Sequence, residues 1–65
     1  MDLDDKAGQG RAYSNMGYAH ESLRNYKDAL KYHEKHLRIA LDLDDKAGQG
    51  IAYGNMSIAH KSLGN

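Results

Sequence analysis

Residues 2–16 read DLDDKAGQGRAYSNM, and residues 42–56 read DLDDKAGQGIAYGNM. The likeness continues to the end of the chain, because eighteen of the twenty-four positions in residues 2–25 recur unchanged in residues 42–65. The six paired differences are Arg11/Ile51, Ser14/Gly54, Gly17/Ser57, Tyr18/Ile58, Glu21/Lys61 and Arg24/Gly64. The sequence therefore contains an internal repeat with a period of 40 residues, a spacing typical of stacked supersecondary units.

The repeat has helical periodicity. Four of the differing positions, 11, 14, 18 and 21, are separated by three or four residues, which places them on one face of a helix. A second stripe with the same spacing is apolar and identical in both copies. Its residues are Ala12, Met16, Ala19 and Leu23 in the first copy and Ala52, Met56, Ala59 and Leu63 in the second.

This periodicity predicts three helices. The first runs from about residue 5 to 23, with Asp4 or Asp5 as its N-cap, and ends at a turn in which Asn25 tolerates a left-handed conformation. The second runs from about residue 26 to 41 and the third from near residue 45 to near residue 63. The second helix has seven predicted inward residues: Tyr26, Ala29, Leu30, His33, Leu37, Ala40 and Leu41. The predicted fold is all-α, with antiparallel helices in the order A, B, A.

Composition excludes several classes of function. Nine basic and nine acidic residues cancel in a chain of 65 residues, whereas nucleic-acid binding depends on an excess of positive charge. There is no Cys, which excludes disulfides and thiolate metal sites, and no apolar run is long enough to span a membrane. We therefore expect a soluble protein that binds neither nucleic acid nor membrane, with the cytoplasm as the default location.

The helix pattern resembles the tetratricopeptide repeat family. Seven residues occupy its signature positions: Tyr13, Met16, Gly17 and His20 on helix A, and Ala29, His33 and His36 on helix B. The period of 40 is similar to that of the long-helix arrays of kinesin light chains and spindle-orientation adaptors. The resemblance implies one helical repeat domain over residues 1–65, a fragment of an α-solenoid of one and a half units. Residues 2–41 would be the first full repeat and residues 42–65 helix A of the second.

The resemblance also implies a binding surface, because helix A residues line a concave groove in this family. The groove positions correspond to Arg11, Asn15, Tyr18, Ser22, Ile51, Asn55, Ile58 and Ser62. Asn15 and Asn55 match an Asn that hydrogen-bonds the peptide backbone, and an amide can both donate and accept. Arg11 lies where some members bind a terminal carboxylate, although its counterpart Ile51 carries no charge.

Other chemical interpretations have less support. The four His residues have neither the number nor the spacing of a zinc site, and inter-helix packing explains them more simply. The DKAGQG stretch lacks the GK[ST] ending of a phosphate loop, so its glycines are interpreted as close-approach or flexible positions. Tyr13, Tyr26, Tyr32 and Tyr53 are also expected to pack between helices. We predict no enzymatic activity, no cofactor and no metal.

Two functions remain open. The first is a protein-interaction scaffold, as a piece of a longer repeat array, that binds an extended or helical peptide in the groove of the A helices. The second is a self-assembling structural module in which another copy of the chain covers the unpaired helix faces. Both predict a protein or peptide partner.

Overall fold

The structure is a computed structural model that describes residues 5–64, which form three α-helices of 17 residues each. Helix α1 comprises Lys6–Ser22, α2 comprises Tyr26–Asp42 and α3 comprises Lys46–Ser62. No strand occurs in this described range. The predicted fold class is confirmed, and each helix begins and ends within about one residue of its predicted bounds.

Side-chain caps begin α1 and α3 in the same way. The Asp5 carboxylate accepts a hydrogen bond from the Gly8 N–H at 2.9 Å, and Asp45 accepts one from the Gly48 N–H at 3.0 Å. Each bond satisfies a backbone donor that has no partner within the first turn of the helix. Asp5 is therefore the N-cap of α1, while the other predicted candidate, Asp4, lies outside the described residues.

A left-handed residue lies in each of the two turns that connect the helices. At the end of α1 this residue is Arg24, with φ of 61°, and at the end of α2 it is Asp44, with φ of 54°. The Asn25 N–H then bonds to the His20 carbonyl at 2.8 Å and the Arg24 N–H to the Glu21 carbonyl at 2.9 Å, the two bonds of a Schellman motif. The turn was predicted at the correct place, but the left-handed residue is Arg24 and not Asn25.

Helix α2 lies between the other two helices and packs against both. The buried side chains are small: Ala29 and Ala40 of α2 and Ala52 and Ala59 of α3 are at most 2% exposed. Alanine side chains let helix backbones approach closely but remove little apolar area from water. The largest fully buried side chain is instead a polar one, His33 of α2.

The two sequence copies use different faces to contact α2. In α3 the apolar stripe is turned inward, and Ala52 and Ala59 are fully buried. In α1 the identical stripe is exposed, with Leu23 70% accessible to solvent. Helix α1 instead packs on α2 through a stripe that includes Gly10 and Gly17.

Tyr53 and Leu41 are predicted packing residues that lie at the surface. Tyr53 is 55% exposed. Its counterpart Tyr13 lies on the face of α1 that packs against α2, whereas α3 packs against α2 through a different face. Leu41 was predicted to face inward from α2 but is half exposed, next to the turn that begins at Leu43. Both predictions were wrong because helical periodicity identifies a face without stating which helix covers it.

Candidate functional site

The eight predicted groove residues lie on the two A helices. Seven of them are exposed, and Asn55 is partly buried. The α1 members are Arg11, Asn15, Tyr18 and Ser22, and the α3 members are Ile51, Asn55, Ile58 and Ser62. This set therefore lies mainly on the accessible surface of both helices, and Tyr18 also contacts α2.

One hydrogen bond joins the two halves of the set. The Asn55 Nδ2 of α3 donates to the Tyr18 hydroxyl of α1 at 3.0 Å. Within the described part of the chain, no other pair of the eight residues shares a hydrogen bond. Tyr18 also meets the buried His33 ring edge-on, with 5.5 Å between ring centroids. Tyr18 is therefore held from two sides while 43% of it stays exposed.

The two groove asparagines are not equivalent. Asn55 already uses one amide hydrogen for Tyr18, so its carbonyl oxygen and second N–H remain for other partners. The Asn15 side chain is exposed and has no partner among residues 5–64. Asn55 obtains its partner from α1, the other A helix, whereas no described side chain of α3 bonds to Asn15.

Arg11 also borders a cleft that the sequence did not predict. The cleft encloses about 240 Å³ and lies where the start of α1 meets the end of α2. Its lining residues are Ala7, Gly10, Arg11, His36, Ile39, Ala40, Leu43 and Asp45. A drug-sized ligand needs about 300–1,000 Å³, so this cleft is small for a metabolite or cofactor. No sequence motif marks it, because it is formed by residues of two helices and a turn.

His33 is the polar centre of the α1–α2 interface. Its Nε2 lies 3.1 Å from Glu21 Oε1, and its Nδ1 is buried with no partner among the described residues. A carboxylate only accepts hydrogen bonds, so Nε2 carries the hydrogen in this pair. The imidazole also lies so close to Gly17 that a Cβ at that position would stand 2.5 Å from His33 Cε1.

The remaining three His residues have different surroundings. His20 stacks on Tyr32 with 5.3 Å between ring centroids, and His36 is partly buried. Burial lowers the pKa of His36 below its usual value, nearby His33 lowers it further, and Asp45 opposes the shift. His60 was expected to pack between helices, but it is exposed on α3, on the face that lacks α2.

The His residues do not converge on a point. Among residues 5–64 no three His, Asp or Glu side chains are grouped as a metal ion would require. The same range contains no helix long and apolar enough to cross a bilayer.

A known family model matches most of the chain. The family model described as tetratricopeptide repeat matches residues 8–65. No curated protein and no solved structure matches the chain significantly. The match covers α2, α3 and all of α1 except its first two residues, and it includes all eight groove residues.

Proposed function

Since this chain belongs to the tetratricopeptide repeat family, we propose that it binds an extended or helical peptide along the groove residues of α1 and α3. Repeats of this family generally mediate protein–protein interactions and are typically non-catalytic scaffold modules. In this proposal residues 1–65 are one helical repeat domain. Residues 2–41 form a full repeat and residues 42–65 supply helix A of the next.

The hydrogen bond between Tyr18 and Asn55 is the observation that carries the proposal. It joins a predicted groove residue of α1 to one of α3, so the two stripes border one surface. A peptide longer than a few residues could therefore contact both helices at once. Contact with both helices would bury more of the ligand than either helix could bury alone.

The exposed chemistry of the groove favours a ligand of mixed character. Tyr18, Ile51 and Ile58 each have about half of their surface exposed and offer apolar contacts. Asn15 offers an unpaired amide, which can bond to a peptide N–H and C=O whatever the ligand sequence is. Arg11 adds a single positive charge at the start of the α1 stripe. We infer a peptide with two or more apolar side chains and an acidic group at the end that lies near Arg11.

A peptide-display selection against the immobilised protein tests this function. Selected peptides would be titrated by calorimetry against the wild type and against Asn15→Ala and Asn55→Ala. Loss of one backbone hydrogen bond of about 1–1.5 kcal/mol should weaken binding about tenfold in each variant.

Asn25→Ala is the matched control, because Asn25 lies in a turn and its side chain makes no capping bond. Its affinity should equal that of the wild type. If no peptide is enriched, or if the groove variants bind as well as the control, peptide binding by this groove is refuted.

Self-association is the second candidate, and the exposed stripe of α1 favours it. Ala12, Met16, Ala19 and Leu23 repeat the residues with which α3 packs on α2, yet they are open to solvent. Light scattering at several concentrations would report a mass above 7.2 kDa if another copy covers this stripe. Leu23→Lys should then return the protein to a monomer, and a wild type that stays monomeric at high concentration would exclude this candidate.

A further inference from the structure

Helix α3 has an exposed face, and the corresponding face of α1 packs against α2. This α3 outer face consists of Tyr53, Ser57, His60 and Lys61, all of them exposed. Forty residues earlier, Tyr13, Gly17, His20 and Glu21 occupy the same positions of α1 and face α2. The structure thus shows how such a face binds a helix, and the sequence shows what has changed. This face is a different stripe of α3 from the groove residues.

Part of the helix-binding chemistry is retained on α3. In α1, Tyr13 and His20 both stack on Tyr32 of α2, with ring centroids 6.2 and 5.3 Å apart. Tyr53 and His60 are the same two residue types at the same spacing on α3. They offer an exposed place where an aromatic side chain of a partner helix can stack, which favours binding beyond the area buried.

The other two residues of the face differ between α1 and α3, and both differences affect the place that His33 occupies against α1. Gly17, which makes room for the His33 ring, is replaced by Ser57 on α3. Any Cβ there would stand 2.5 to 2.8 Å from three atoms of such a ring, so a His at this point of a partner helix cannot fit. The second difference, Lys61 in place of Glu21, removes the carboxylate that bonds to His33. Both differences therefore act on the same residue of a partner helix.

That second difference reverses the charge. Glu21 accepts the hydrogen bond of His33, whereas its counterpart Lys61 carries a cation. With His60 it also gives the last turn of α3 a basic character. A second copy of α2 would consequently lose both the space and the hydrogen bond that α1 provides for His33. The face favours a partner side chain that is shorter than His and negatively charged.

We propose that the α3 outer face is a docking site for an amphipathic helix in which an aromatic residue is followed directly by Asp. The aromatic ring stacks on Tyr53 and His60, as Tyr32 stacks on the corresponding residues of α1. The Asp carboxylate accepts hydrogen bonds from the Ser57 hydroxyl and the Lys61 ammonium group. A charge-assisted pair of this kind contributes more than a neutral hydrogen bond.

Two synthetic peptides test the proposal against the intact chain. One has the sequence of residues 26–42, and the other has the same sequence with His33→Asp. NMR titration would follow the ring signals of Tyr53, on the α3 outer face, and the methyl signal of Met16, on the exposed stripe of α1. The His33→Asp peptide should shift the Tyr53 signals with a Kd about tenfold lower than the unmodified peptide, which corresponds to about 1.4 kcal/mol.

Protein variants identify the cause of the preference. Lys61→Glu should remove the advantage of the His33→Asp peptide, and Ser57→Gly with Lys61→Glu should reverse it, because the pair restores the chemistry of α1. Lys61→Gln is a milder variant that removes the charge alone and should reduce the advantage. Lys27→Glu is the matched control, since it makes the same charge change on α2 at an exposed side chain outside the α3 outer face. Circular dichroism verifies that each variant is folded.

Three results would overturn the proposal. The His33→Asp peptide could bind no more tightly than the unmodified one, its advantage could persist in the Lys61→Glu protein, or it could shift Met16 and leave Tyr53 unchanged. Asn15→Ala is expected to leave this titration unaltered. The docking site and the groove can therefore succeed or fail independently.

Discussion

A methyl group on Gly17 would stand 2.5 Å from Cε1 of His33 and 2.8 Å from its Nε2. The ring cannot move aside easily, because it is fully buried and its Nε2 bonds to Glu21. Glycine within a helix destabilises it by about 1 kcal/mol relative to Ala. At this position that loss leaves room for the His33 ring between α1 and α2.

Gly17→Ala should therefore lower the free energy of unfolding, by about 1–3 kcal/mol, because overpacking outweighs the gain in helix propensity. Urea denaturation followed by circular dichroism measures the change. Gly54→Ala is the control, since a Cβ at Gly54 meets nothing within 4 Å. That control should stabilise the protein by about 0.5–1 kcal/mol. A Gly17→Ala protein as stable as the control would contradict the role given to the His33 contact.

Arg24→Gly should stabilise the protein by about 0.5–1 kcal/mol, because a left-handed backbone is unfavourable for a residue with a Cβ. The second copy already has Gly64 at this position, with φ of 84°. A gain of this size should raise the melting temperature by about 4 °C in a chain of this length. Arg38→Gly, within α2, should lower it instead. Equal shifts in both variants would show that the turn at Arg24 carries no strain.

Stability should fall as the pH is lowered from about 6.5, the usual pKa of His. The pKa of His36 is lowered in the folded state, so the unfolded chain binds the proton first and acid favours unfolding. The charged or titratable neighbours that shift this pKa are His33, which lowers it, and Asp45, which raises it. Urea titrations at pH 7.5 and 5.5 should show a smaller loss for His36→Gln than for the wild type. An equal loss in both proteins would assign the acid sensitivity to other groups.

Tyr18→Ala should weaken the binding of a groove peptide about tenfold, because an exposed aromatic residue held from two sides is a typical interaction anchor. Tyr53→Ala removes an exposed tyrosine outside the groove and should leave that affinity unchanged. For the helix that docks on the α3 outer face we expect the reverse, namely that Tyr53→Ala weakens binding and Tyr18→Ala leaves it unchanged. Calorimetric titrations of both variants with both ligands give the four affinities needed. If each substitution affected both ligands alike, the two surfaces would not be distinct.

The sequence predicted the helices well because their signals are local. The repeated Asp5 and Asp45 mark the starts of α1 and α3. The spacing of the apolar residues indicates a helix, and the extent of that pattern along the chain indicates the length of the helix. Burial was less predictable. Ala12 and Ala52 are the same residue in nearly the same local sequence, yet one is exposed and the other fully buried. Their burial differs because α2 contacts a different face of each helix. Which face it contacts depends on whether α2 follows or precedes that helix in the chain.

The candidate site shows the same division. Exposure of the groove stripe could be predicted, because positions 11, 15, 18 and 22 follow helical spacing beside an apolar face. The bond between Tyr18 and Asn55 could not, because the register of α1 against α3 is set by how both helices lie on α2. The left-handed Arg24 has a signal in the sequence, because Gly64 occupies the same position of the second copy.

The core of four alanines and one imidazole has a calorimetric consequence. An average protein unfolds with an enthalpy of about 0.7 kcal/mol per residue, or about 45 kcal/mol for this length. The heat-capacity increment grows with the apolar area that unfolding exposes, and methyl-sized side chains expose little. The stability curve of this protein should therefore be shallow and its melting transition broad. A bound partner helix would add the missing apolar area, and the transition would sharpen as the complex forms.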